Sequence, residues 1–268
     1  MRPLVRVRQF SVVTAFLAVA LLGASCGQSR EAARSAAVAV SAVVTFPAAD
    51  GVELSGRLFG PADASAGVVL AHMLPADQSA WYETAGHLAS QGYRVLTFDF
   101  RGYCPGGDAG CSRGDKDVGA APADLRGALD FLRSEGPSRV ALIGASMGGT
   151  AALLVASQEG DGVDAVITLS APQVIDALGV GNDTLATLTA AKLFLAGTGD
   201  TTAVESANFF YAASQQPKRE EILTTDDHGT DMLTGNQGAR VTELIDAWLA
   251  QFLPASPPSP SPQQGGAP

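Results

Sequence analysis

The chain has 268 residues, 46% of them hydrophobic, and a formal net charge of −10. That length and apolar content suit one α/β domain with a sizeable core. The acidity argues against nucleic acid as a partner, because phosphate binding relies on Lys and Arg; its plainest consequence is solubility.

Residues 1–26 read as a targeting segment. Arg2, Arg6 and Arg8 form a basic region, and Phe10 to Leu22 is almost wholly apolar and uncharged. The run is too short for a membrane span of roughly 20 residues and fits the core of a signal peptide. It ends in LLGASC, which resembles the lipobox of bacterial lipoproteins, whose cysteine is lipidated and becomes the mature N-terminus. Gly23 stands where Leu is usual, and an ordinary cleaved signal, with Ala24 and Ser25 as its small residues, is the alternative. The resemblance implies lipid on Cys26 and an exported protein anchored on the extracytoplasmic side of the membrane. Without that lipid the protein is expected to be secreted. Residues 27–37 look like a spacer, and 38–253 are expected to form the folded domain.

AVVTF and VELSGRLF read as two strands around PAADG. The second alternates Val52, Leu54 and Leu58 with Glu53 and Arg57, which suits a half-exposed antiparallel pair. From Gly67 the pattern changes. GVVLAH, YRVLTFDF, RVALIG, DAVITLS and AKLFLAG are short continuous apolar runs, as expected of strands buried on both faces. Helical segments lie between them. One is YETAGHLASQGY, which holds His87; another is PADLRGALDFLRS, with Leu125, Ala128, Leu129 and Leu132 on one face and Pro122 in its first turn. Alternating strands and helices imply a mostly parallel sheet with helices on both faces and right-handed crossovers. Ligands bind such sheets at the carboxyl ends of the strands.

Cys104 and Cys111 sit in the glycine-rich stretch GYCPGGDAGC. With Cys26 set aside they are an even pair in an exported chain, so a disulfide is expected. Metal binding is the weaker reading, since no His lies near them in sequence.

After RVALIG comes Ser146. Gly144-Ala145-Ser146-Met147-Gly148 is G-x-S-x-G between a strand and a helix, where the serine occupies a tight, strained turn. The Met147 N–H lies at the start of the following helix, where amides are unpaired and favour negative charge. One turn thus offers a hydroxyl and an oxyanion donor. A serine needs a base to take its proton. Of His72, His87 and His228, only His228 follows the serine in the chain. Asp200, after AKLFLAG, is the carboxylate placed to orient it. Asp176, expected after a helix start, and Asp226 and Asp227, expected to cap or face solvent, are less well placed. A second oxyanion donor is expected from the Met73 N–H, in the loop after GVVLAH, with His72 structural. Val241, Leu244, Ile245, Trp248, Leu249 and Phe252 form the stripe of a last helix. The tail 254–268, PASPPSPSPQQGGAP, cannot bury apolar surface and is expected to be disordered.

These features together resemble the α/β-hydrolases, over about residues 40 to 253. The matching stretches are VVLAHMLPADQSAWYETAGHLASQGYRVLTFDFRGY, GASMGGT, LAGTGDTTAV and DHGTDML. The resemblance implies a nucleophile at Ser146, an acid at Asp200, a base at His228 and oxyanion amides at Met73 and Met147. It implies no metal or organic cofactor. Asp99 and Arg101 match a structural corner of the family. The sequence departs at Met73, where the family usually has Gly, and at the cysteine loop after FRGY. The segment between Ser170 and Ala191 is too short for a large helical cap, as in dienelactone hydrolases and small esterases. The expected reaction is hydrolysis of a small-molecule carboxylic ester (a carboxylic ester hydrolase, EC 3.1.1-like). A serine peptidase, a thioesterase, or a surface binding lipoprotein that has lost catalysis are the alternatives.

Overall fold

A computed structural model describes residues 42–104 and 111–255. The targeting segment with Cys26, the spacer and the tail beyond Ala255 lie outside the described residues. The strands are β1 (Ala42–Pro47), β2 (Glu53–Phe59), β3 (Ala66–Ala71), β4 (Arg94–Phe98), β5 (Arg139–Ala145), β6 (Ala165–Leu169), β7 (Val174–Ile175), β8 (Leu178–Gly179), β9 (Ala191–Gly197) and β10 (Lys218–Leu223). Among the described residues, eight of them form one sheet in the order β1-β2-β4-β3-β5-β6-β9-β10. β1 and β2 run antiparallel, β2 meets β4 antiparallel, and every later pairing is parallel. β7 and β8 form a separate two-stranded hairpin after β6.

The helices are α1 (Tyr82–Ser90), α2 (Ala121–Ser134), α3 (Met147–Glu159), α4 (Asn182–Thr187), α5 (Thr201–Ala213) and α6 (Gly238–Phe252). The apolar stripes set their sides. Leu125, Ala128, Leu129 and Leu132 of α2 join α3, Leu185 and Phe210 in one core layer. Leu88 of α1 joins Val241, Leu244, Ile245, Trp248 and Leu249 of α6 in the other. The central strands feed both layers by alternation: Leu193 and Leu195 of β9 face α6, while Phe194 faces α5. That is why these strands read as continuous apolar runs.

One strand departs from the apolar pattern of the others, and one residue from its expected setting. KREEIL forms β10, an edge strand at the end of the sheet whose residues are mostly half-buried. It pairs with β9 alone among the described residues, so charge is tolerated there. Asp176 does not follow a helix start; it lies in the β7–β8 turn with φ +50°, a left-handed conformation that Asp tolerates better than most residues.

Lys192 interrupts the β9 run. It is fully buried on the Phe194 side, and its Nζ donates to the Leu188 carbonyl at 2.9 Å. Burial pushes its pKa down to about 8, helped by the nearby charge of Lys218. The unfolded chain therefore binds more protons than the folded one between about 8 and 10.5, so this group's penalty is complete below that window and fades as pH rises through it. Lys192→Met is expected to stabilise the fold at neutral pH by roughly 1–3 kcal/mol. The gain in melting temperature over the wild type should shrink by about pH 10; an equal gain at both pH values would contradict the burial argument.

Cys104 and Cys111 are joined in a disulfide. It closes a loop whose two roots are tied together: the Ser112 N–H donates to the Tyr103 carbonyl, and the Gly102 N–H to the Arg113 carbonyl, both at 3.1 Å. Reduction is expected to lower stability by about 2 kcal/mol, the chain-entropy value for so short a loop, read as a fall in melting temperature under reducing conditions.

Candidate active site

β5 delivers Ser146 to the carboxyl edge of the sheet. Ser146 has φ +46° and ψ −117° and is followed directly by α3. A non-glycine residue held there is strained, and the surroundings hold it. The Ser146 N–H donates to the Leu169 carbonyl of β6 at 2.8 Å, and the Ser146 carbonyl accepts the Thr150 N–H at 3.0 Å. The Thr150 hydroxyl also ties the turn to the Pro172 carbonyl at 2.7 Å. α3 begins hard against the end of β3. A Cβ on Gly148 would stand 2.7 Å from the His72 carbonyl oxygen, so only glycine lets the helix start there. The same approach brings Met147, at the first position of α3, beside the loop that carries Met73.

Asp200 stands at the end of β9 as the N-cap of α5. Its Oδ1 accepts the Ala203 N–H at 3.1 Å, and its Oδ2 bonds His228 Nδ1 at 2.5 Å. The helix terminus thus fixes one carboxylate oxygen and favours its negative charge. The other oxygen holds the imidazole through Nδ1. The His228 side chain is 43% exposed and that of Asp200 16%, so the imidazole is open to solvent and its carboxylate partner is shielded.

The turn after His228 folds back onto the Ser146 elbow. Gly229 has φ +58°, and a Cβ there would lie 3.4 Å from the Ala145 Cβ and would collide with the Met73 sulfur. The residue after the histidine thus abuts the residue before the serine. Met73 fills the space between the two loops, and it is largely buried. Downstream, the Ser170 hydroxyl meets the Met232 sulfur at 3.3 Å. Ser170, just after β6, also has a positive φ of +52°.

His72 is fully buried. Its Nε2 accepts the Phe100 N–H at 3.1 Å, so Nδ1 carries the proton and donates to the Met73 carbonyl at 2.9 Å. Burial pushes its pKa down to about 4. It packs edge-on against Phe100 and Tyr103. A neutral imidazole with both nitrogens engaged fixes the Met73 main chain and has nothing left with which to take a proton. The far end of the same loop is held by a carboxylate. Asp99, fully buried, accepts the Gln78 main-chain N–H at 2.9 Å and its Nε2–H at 2.6 Å. Burial pushes its pKa up to about 6. Ser112, next to Cys111, donates to the Asp99 carbonyl at 2.6 Å, so the disulfide loop braces this corner. Arg101 bridges Asp124 and Asp50, which engages its charge in a structural ion pair.

His87 lies elsewhere. Its Nε2 bonds Asp246 at 2.8 Å across a cleft of about 370 Å³ between α1 and α6. Asp226 is exposed, as the sequence suggested. Asp227 is not merely solvated, since its carboxylate accepts the Thr225 hydroxyl at 2.6 Å. The sequence reading missed Thr225, because its role depends on a bond that spacing does not reveal. Among the described residues no group of three or more His, Cys, Asp or Glu side chains is arranged to hold a metal ion.

Residues 170–190 form only the β7–β8 hairpin and the six-residue α4. The hairpin turn reaches toward the 118–120 segment, where a Cβ on Gly119 would meet Ala177 at 3.3 Å.

A family model described as the alpha/beta hydrolase fold matches residues 68–240. No curated protein matches the sequence. Among solved structures, the chain is similar to an esterase of Pyrococcus furiosus, with 18% identity and a TM-score of 0.66 over 80% of this chain and 93% of that one. It is similar to a dienelactone hydrolase of Anabaena variabilis, with 22% identity and a TM-score of 0.64 over 80% and 98%. The esterase domain of a Rhodothermus marinus protein gives 28% identity and a TM-score of 0.61 over 80% and 99%.

Proposed function

Because the chain belongs to the alpha/beta hydrolase fold family, we propose that it is a serine hydrolase cleaving carboxylic esters through an acyl-enzyme on Ser146. The observation that carries this reading is the bond between His228 Nδ1 and Asp200 at 2.5 Å, in a turn packed through Gly229 onto the strained Ser146 elbow. The esterase and dienelactone hydrolase likenesses agree with it.

In this mechanism His228 Nε2 takes the Ser146 proton as Oγ attacks the ester carbonyl. Asp200 keeps the imidazole in the tautomer that presents Nε2 and stabilises the imidazolium. The Met73 and Met147 amides receive the oxyanion, and the first turn of α3 adds favourable potential. His228 then gives the proton to the leaving alkoxide. Water, deprotonated by the same histidine, releases the acid. No step calls for a metal or organic cofactor. We also propose that lipid on Cys26 anchors the enzyme on the extracytoplasmic side of the membrane; mass spectrometry of the mature N-terminus tests this, and an unmodified Cys26 would reject it.

The half-exposed His228 and the shortness of the 170–190 segment favour short or accessible acyl groups. Full-length protein is expected to hydrolyse nitrophenyl acetate and butyrate with higher kcat/KM than the palmitate. It should also cleave these esters faster than matched thioesters and aminoacyl amides. A preference for the palmitate would overturn the open-site reading, and a preference for the amide would overturn the ester assignment.

A further inference from the structure

The reading of His228 as base leaves open what holds its main chain, and on that reading we infer that Thr225 and Asp227 are positioning residues for His228. The acid turn and the base turn are stitched together beyond the ends of β9 and β10. The Thr198 N–H and the Thr225 N–H both donate to the Leu223 carbonyl, at 2.8 and 2.9 Å. The Gly199 N–H donates to the Thr225 carbonyl at 3.0 Å. Thr225 is therefore the point at which the chain carrying His228 is fastened to the chain carrying Asp200.

From that point only two residues lead to the imidazole. Their conformation is set by a reciprocal pair of bonds. The buried Thr225 hydroxyl donates to Asp227 Oδ2 at 2.6 Å, and the Asp227 N–H donates back to the Thr225 oxygen at 3.2 Å. The Asp227 carboxylate occupies the place a side chain would take at Gly235, so it is also wedged against the segment that leads into α6. The bonds to Thr225 and the close approach of Gly235 restrict the Asp227 carboxylate, and through it the main chain leading into His228. Asp200 alone fixes one ring nitrogen; it does not fix where the Cα of His228 stands. A misplacement on the order of an ångström at a reacting group costs up to about 10²-fold in rate.

The test uses the full chain with Thr225→Val, Thr225→Ser and Asp227→Ala. Valine keeps the branched shape and removes the donor, so little packing is lost. Thr225→Val is expected to lower kcat for nitrophenyl butyrate by roughly 10- to 100-fold with KM unchanged. Thr225→Ser should keep the wild-type kcat. Proton NMR gives a readout independent of turnover: the downfield Nδ1–H resonance of His228, bonded to Asp200, should shift or broaden away in Thr225→Val and persist in Thr225→Ser. Asp227→Ala, at a half-buried site, should reproduce both effects even if the valine variant does not fold. Wild-type kcat and an unmoved His228 resonance in a folded Thr225→Val or Asp227→Ala would overturn the proposal. A lowered melting temperature with unchanged kcat would do the same, since it would make the pair purely structural. If the wild type hydrolyses no ester, the serine hydrolase reading fails; the resonance then still decides whether the pair positions the histidine.

Discussion

Ser146→Ala is expected to abolish ester hydrolysis, with kcat falling on the order of 10⁴-fold or more, while KM and the melting temperature change little. The side chain removed is one hydroxyl on a nearly buried residue, so packing barely alters. The strained turn belongs to the backbone: the Ser146 N–H to Leu169 bond and the Thr150 N–H to Ser146 bond both survive. Alanine in this left-handed turn keeps the strain without the reason for it. What disappears is the oxygen that the proposed mechanism assigns as nucleophile. The residual rate should come from the oxyanion amides and binding alone. Asp200→Asn should fall by a comparable order, about 10⁴-fold, because an amide at that position favours the wrong tautomer of His228. Ester turnover by each purified variant, with circular dichroism as the check on folding, measures both. A Ser146→Ala variant with wild-type kcat would remove the basis of the proposed function.

The second large effect is expected at Gly148. A Cβ there would stand 2.7 Å from the Ala71 carbonyl carbon and the His72 oxygen, both main-chain atoms. β3 is paired on one side with β4 and on the other with β5, so it cannot retreat. α3 must move instead, and Met147 moves with it. Gly148→Ala is therefore expected to destabilise the fold by roughly 1–3 kcal/mol, the usual cost of overpacking a filled core. It should also lower kcat by about 10²-fold, since the two amides proposed to receive the oxyanion are pushed apart. Gly86→Ala is the matched control. Gly86 is in α1, and a Cβ added to it would meet no atom within 4 Å. Helix propensity alone then decides, and the change should stabilise by up to about 1 kcal/mol. Thermal melts and kcat for the pair separate crowding from the mere loss of glycine. Equal behaviour of the two variants would contradict the close-approach account.

The contrast between these glycines shows which parts of the candidate site the sequence makes legible. Ser146 is readable because a strand, a tight turn and a helix each leave a local pattern. Asp200 and His228 are readable because chain order and strand ends narrow the choice among few histidines. The disulfide follows from two cysteines close in sequence. β10 is marked only faintly by the run before His228, because an edge strand paired on one side tolerates KREEIL, whose charges blur the apolar pattern. The β7–β8 hairpin is obscured because two-residue strands carry no period. Lys192 is visible as a lone charge in AKLFLAG, yet only the structure shows that its ammonium stays buried on the Leu188 carbonyl. The Thr225–Asp227 pair and the Gln78–Asp99 clamp lie beyond pattern altogether, since each depends on a side chain meeting a group that no spacing rule selects.

The Met73 position shows how a departure from the family pattern is absorbed. The side chain that replaces the usual glycine does not fill open space. It settles against Gly229, whose bare Cα leaves room for the sulfur. The loop after β3 and the turn after His228 are thereby packed directly on one another.

The most direct test of the central claim is labelling of the full-length protein with a fluorophosphonate probe, followed by peptide mapping. An activated serine reacts with such a probe; a serine without its base does not. One adduct is expected, on the peptide containing Ser146, and none in Ser146→Ala or in a His228→Ala variant that remains folded. An unlabelled wild type, or equal labelling of wild type and Ser146→Ala, would contradict it.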